Sequence, residues 1–123
     1  MHPTAHPRSR ADALAAIPAP LPGIRTTVTA EGLVRISYPA VLRPWLRRLL
    51  PSSFTPPART LELDAMGTFV WNLMDGLASV ADIARGVELR FACLPAEAEQ
   101  SVALFVRQLG QRGIIGLRQP PPM

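Results

Sequence analysis

Residues 58–76 read ARTLELDAMGTFVWNLMDG, and the fold turns on a change of period inside them. Arg59, Leu61 and Leu63 alternate with Ala58, Thr60 and Glu62 as the two faces of a strand do. From Asp64 onward the spacing is helical. Met66, Phe69, Val70, Leu73 and Met74 fall on one side, and Asp64 stands where a carboxylate can accept from the first free amides of the helix. Asp75-Gly76 supplies the stop, because glycine takes the left-handed conformation that closes a helix C-terminus. The stretch is therefore strand, cap, helix and stop in succession.

Downstream, Ser79 opens a second helix with Asp82 as its reciprocal capping partner, and Val80, Ile83, Ala84, Val87 and Phe91 make the buried stripe. Cys93-Leu94-Pro95 interrupts the pattern. A third helix runs over about residues 95–112, with Pro95 in its first turn and Glu97 and Glu99 near its positive end. Its core-facing residues are Ala98, Val102, Phe105, Val106 and Leu109, and Gly113 ends it. Ile114, Ile115 and Leu117 form a short extended segment that packs back, followed by a Pro-rich tail over 118–123. Trp71 either fills a wide core under the sheet, the favoured reading, or is exposed for a partner.

Upstream, residues 26–30 and 33–38 read as a hairpin turning at Glu31-Gly32. Between it and the strand at 58–63, Val41, Leu42, Trp45, Leu46 and Leu49 recur at helical spacing, while Arg43, Arg47 and Arg48 lie largely opposite. This predicts a short basic amphipathic helix at about 41–50. It has two readings: its apolar side closes over the domain, or Trp45, Leu46 and Leu49 rest on a membrane surface or a partner while the arginines meet acidic groups. Residues 1–24 carry five prolines and no sustained period, which predicts a flexible lead-in, and the apolar part of 11–17 is too short for a secretory segment. The expected fold is α+β, a small antiparallel three-stranded sheet packed on a three-helix bundle of winged helix-turn-helix type, with one domain over 25–117.

Composition narrows the function. The apolar fraction of 48% is too high for a disordered chain, and no uninterrupted apolar run approaches the roughly 20 residues of a membrane span. A single cysteine, Cys93, excludes an internal disulfide and fits a cytoplasmic setting. No metal cluster, P-loop, dinucleotide fingerprint or nucleophile-base arrangement is present, so neither a catalytic residue nor a cofactor or metal is expected. All thirteen basic residues are arginine. Residues 25–59 hold six of them against Glu31 alone, whereas residues 60–123 hold five against seven acids, so the basic character belongs to the N-terminal half. A winged-helix DNA-binding regulator is one alternative function, and a membrane-surface adaptor acting through 41–50 is another. Against nucleic acid, the expected recognition helix would present Glu97 and Glu99 to phosphates, and Tyr38 is the only aromatic on the expected strands.

Residues 61–76, then SVADIARGVELRF at 79–91, then VRQLGQRGII at 106–115 together resemble the PqqD family, the small chaperone of pyrroloquinoline quinone biosynthesis. Its fold also serves as the precursor-peptide recognition element of pathways that modify ribosomally made peptides. The resemblance rests on Phe69-Val70-Trp71, the Asp75-Gly76 stop, Val80 with Ile83, and Phe105-Val106 with Leu109 before Arg112-Gly113. It implies a non-catalytic module to which a leader peptide adds as a strand. The contacts would be Arg59, Thr60, Leu61 and Glu62 on the third strand and Ser101, Leu104, Phe105 and Gln108 on the last helix. It also implies delivery to a modifying enzyme, a radical S-adenosylmethionine enzyme in the resembled pathway. The connection over 39–57 is long and basic for a minimal member. An edge strand also permits a homodimer formed by strand pairing.

Overall fold

In the computed structural model, which describes residues 10–40, 44–54 and 57–120, the chain begins with α1 (Arg10–Ala15) and β1 (Ile17–Pro20). It continues through β2 (Arg25–Val28), β3 (Val34–Pro39), α2 (Pro44–Leu49), β4 (Ala58–Glu62), α3 (Ala65–Leu73), α4 (Val80–Phe91), α5 (Pro95–Gln111) and β5 (Ile115–Arg118). Strands β2, β3 and β4 form an antiparallel sheet in that order, and β1 pairs with β5 in a separate antiparallel ribbon. The α+β expectation of a three-stranded sheet with three principal helices holds.

Local chemistry accounts for the helix limits. Asp64 caps α3 by accepting from the Gly67 amide at 2.7 Å, and Gly76 adopts a φ of +83° just beyond its end. Ser79 and Asp82 complete a reciprocal box at the start of α4, with contacts of 3.1 and 3.0 Å. Pro95 opens α5, where its missing N–H costs nothing, and the Leu94 amide donates to Glu97 Oε1 at 3.1 Å. Between α3 and α4 the Asp75 carboxylate accepts from the Leu77 and Ala78 amides, each at 2.9 Å.

One contiguous core joins these pieces. Val34, Ile36 and Tyr38 from β3 meet Leu63, Val70 and Met74, the buried stripes of α4 and α5, and Ile114 and Ile115. Trp71, Phe69 and Phe105 are half-buried against it, and Phe69 meets Phe91 edge-on with ring centroids 5.6 Å apart.

Two expectations are corrected. The lead-in expected to be flexible over 1–24 contains α1 and β1 over 10–20, residues 1–9 lying outside the described residues: Ala16, Ile17 and Pro18 are buried, and the Ala16 carbonyl accepts from Val80, the first residue of α4, at 2.9 Å. The prolines hid this strand. Ile17 pairs with Arg118, and Leu21 donates to the Ile114 carbonyl in the same register, so Ile17, Ala19 and Leu21 carry the backbone groups that face β5. Pro18 and Pro20 fall at the alternate positions, where no N–H is needed. Arg118, placed in the tail by the sequence, instead closes β5 and donates to the Gly76 carbonyl at 2.8 Å. The second correction concerns α2, which lies within the segment expected to be helical at about 41–50; Val41, Leu42 and Arg43 lie outside the described residues. Among its described residues the apolar side does not close over the domain, since Trp45 is 60% and Leu49 74% exposed and Leu46 alone is half-buried.

Two outcomes follow. Deleting residues 1–21 uncovers Ile114 and Ile115 and removes three buried side chains. It should lower the unfolding free energy by about 3 kcal/mol or more in urea, whereas an unchanged midpoint would show that α1 and β1 only decorate the surface. The hydrogen bonds from Ala78, then from Leu77, hold the Asp75 carboxyl below its ordinary value of 3.8. A carboxyl depressed in the folded state stabilises it fully above the ordinary value, and that contribution is lost as pH falls through the folded one. Asp75→Asn keeps an acceptor but cannot titrate, so its stability should fall less steeply than wild type on acidification below about pH 4.

Candidate functional site

Strand β4 is the exposed margin of the three-stranded sheet. Its register against β3 pairs Arg35 with Glu62, Ile36 with Leu61, Ser37 with Thr60 and Tyr38 with Arg59. The Leu63 amide donates to the Val34 carbonyl at 2.8 Å and the Ala40 amide to the Pro57 carbonyl at 3.2 Å, both in that register. Backbone groups alternate in direction along a strand, so those of Arg59, Leu61 and Leu63 face β3. Those of Ala58, Thr60 and Glu62 face outward, where no further strand lies among the described residues. On the outer face of the sheet Glu62 pairs with Arg35 at 2.8 Å. Leu61 and Leu63 point to the helical side.

Between this margin and α5 lies a shallow cleft of about 240 Å³, lined by Leu61, Glu62, Leu63, Asp64, Phe105, Gln108, Leu109 and Arg112. Gly67 sets one end of it. A Cβ there would lie 3.1 Å from Asp64 Oδ1, 3.2 Å from Phe105 Cε1 and 3.3 Å from Leu63 Cβ, so the missing side chain lets α3 approach the Phe105 ring. At the other end Arg112 Nη1 donates to the hydroxyl of buried Tyr38 at 2.9 Å. The cleft thus has an apolar centre, outward-facing backbone groups along one side and arginine at one end.

Leu61, Glu62, Phe105 and Gln108, all picked out from the sequence, come together on this cleft. Arg59 and Thr60 continue the exposed strand beside it. Ser101 and Leu104 are exposed on α5 outside the lining, Leu104 at 56%. Leu63, Asp64, Leu109 and Arg112 were missed as lining residues. Their signals were read as strand face, cap, core and helix end, and each of them also borders the cleft. Away from it on α2, Trp45, Arg48 and Leu49 are exposed and Leu46 is half-buried; Arg47 belongs to the same helix, and Arg43 lies outside the described residues.

A larger depression of about 420 Å³ is lined by Ala81, Ala84, Arg85, Glu88, Leu89 and Glu99. It is bordered by charges of both signs, with Glu99 ion-paired to Arg10, and it borders no strand. The smaller cleft is therefore the better site for a chain-like ligand. Among the described residues no group of three or more acidic, histidine or cysteine side chains could hold a metal, and no helix is long and apolar enough to cross a membrane. Cys93 is half-buried, with Sγ 4.0 Å from the Val87 carbonyl.

The family model described as Coenzyme PQQ synthesis protein D (PqqD) matches residues 55–115, which take in β4, the three principal helices and the start of β5. No curated protein matches the chain. Among solved structures, it resembles the solution NMR structure of the PqqD truncation of Methylobacterium extorquens PqqCD, described as a functional, stand-alone recognition element for ribosomally synthesised and post-translationally modified peptides. The TM-score is 0.55 at 21% identity, with 80% of this chain and 87% of that one covered, and the likeness is one of fold.

Proposed function

The chain belongs to the PqqD family, and on that premise we propose that it is a non-catalytic module that binds the leader of a ribosomally made precursor peptide and presents it to a modifying enzyme. The observation that carries this reading is the outward-facing backbone of Ala58, Thr60 and Glu62 beside an apolar cleft under α5. An extended peptide added there gains main-chain hydrogen bonds whatever its sequence, and every second side chain points to Leu61 and Phe105. The alternative, a winged-helix DNA reader, is disfavoured by the same α5: Glu97 caps its start and Glu99 pairs with Arg10, so among the described residues its N-terminal end meets phosphate with carboxylates.

The receiving enzyme, a radical S-adenosylmethionine enzyme if the pathway is that of the quinone cofactor, has a candidate contact in α2. Trp45 and Leu49 form an exposed apolar pair beside Arg48, outside the cleft lining, so a partner could cover them while a peptide occupies β4.

Titrating the chain with the leader of whichever short precursor is encoded beside it should shift amides of 58–63 and 97–112. If those amides stay unmoved at saturation while duplex DNA shifts α5, the regulator reading replaces this one. Thr60→Pro removes a donor from the open margin without touching the β3 ladder, and should weaken the leader about tenfold with the fold intact. Trp45→Ala should leave leader affinity unchanged but slow peptide modification in the reconstituted pathway; full activity would exclude α2 from the enzyme contact.

A further inference from the structure

The cleft has a charge polarity that the apolar reading of it does not use. Tyr38 links two arginines at one end, since it is the cross-strand neighbour of Arg59 and its hydroxyl accepts from Arg112. Cross-strand neighbours on one face have Cβ atoms about 4.5–5.5 Å apart, which puts Arg59 beside the tyrosine that Arg112 holds. Strand and helix run in opposite senses along the cleft: Phe105 lies near Leu63 and Gly67 at the far end, Arg112 near Tyr38 at this one.

Neither arginine has a carboxylate partner among the described residues, whose ion pairs are Arg10 with Glu99 and Arg35 with Glu62. The two acids at the far end are already engaged, Glu62 by Arg35 and Asp64 by the Gly67 amide. A helix C-terminus by itself carries partial negative charge and repels an anion. Here Arg112 stands at that terminus, with Arg59 across from it, and reverses the sign.

Resting on the strand-addition reading above, we propose that the peptide recognised at β4 carries an acidic side chain that meets Arg59 and Arg112, two positions along the strand from an apolar side chain that enters the cleft beside Leu61 and Phe105. The spacing comes from the pleat. Residues opposite Leu61 and Arg59 on an added strand both point to the helical side and are separated by one outward-facing residue, in either strand sense. A lysine or arginine at the acidic position is repelled by both guanidiniums, so the site selects by charge at one position while the backbone supplies affinity at all of them.

The test uses a displayed library of random twelve-residue peptides selected on the full chain, retaining binders that shift amides of 58–63. These should be enriched in Asp or Glu two positions from a large apolar residue. Changing that acid to its amide should weaken binding by about tenfold in wild type, and by less than about twofold when Arg59→Gln and Arg112→Gln are combined. Arg59→Gln alone preserves the Tyr38–Arg112 bond and should lose part of the discrimination with an unchanged Tm. Binders at β4 that show no acidic enrichment, or that tolerate the amide equally, overturn the charge selectivity and leave strand addition standing. If no binder moves the β4 amides, strand addition fails and the selectivity fails with it.

Discussion

Val34 holds the sheet to the helices through both of its backbone groups. Its carbonyl accepts from Leu63 at 2.8 Å and its amide donates to Thr68 Oγ1 at 3.0 Å, so one residue of β3 is bonded to the end of β4 and to the first turns of α3. The strand-to-helix turn at Leu63-Asp64 can then occur in one place only, because Asp64 is occupied by the Gly67 amide in the same turn. A shift of β4 by one residue would break the Leu63 bond, bury Glu62 and expose Leu63, which is 4% exposed. The register of β4, and with it the identity of the outward-facing backbone groups, depends on this junction.

The cleft inherits its shape from the same constraint. With β4 fixed and Gly67 lacking a side chain, α3 and Phe105 come close, and the rest of α5 passes along the strand until Arg112 reaches Tyr38. Affinity and selectivity then have separate sources. Backbone groups along β4 are indifferent to side-chain identity, whereas the apolar centre and the arginine end read particular positions. A module of this kind can keep its mode of binding while a few lining residues change its client.

The ribbon of β1 and β5 supports that arrangement from behind. Within it β1 pairs with β5 from Ile115 onward, Leu21 donates to the Ile114 carbonyl, and the Ala16 carbonyl takes up the first amide of α4. Segment 10–21 thus joins the start of α4 to the exit of α5, the two helices whose packing holds the far wall of the cleft. The exposed Trp45 and Leu49 of α2 lie between β3 and β4 in sequence, where a connection can vary without disturbing either strand pairing.

The sequence by itself determined the elements whose signals are local. The period change at Asp64, the Ser79–Asp82 box, Pro95 and the glycines at 76 and 113 are set by interactions within a few residues, and the helices and hairpin follow from them. Four of the cleft residues, Leu61, Glu62, Phe105 and Gln108, were legible through the family resemblance, which supplied the edge strand and the last helix as the binding elements; periodicity by itself had put Phe105 on the core face. Tertiary structure alone decided what depends on distant partners. Pro18 and Pro20 read as breakers until β5 supplies a register in which their missing amides are harmless. Arg112 read as a helix end until the fold brought it to Tyr38, and Ser101 and Leu104 lie on α5 but outside the cleft, whose lining on this helix begins at Phe105. Periodicity reports which face of an element is apolar; which other element that face meets, and where along its length, is set by packing across the whole chain.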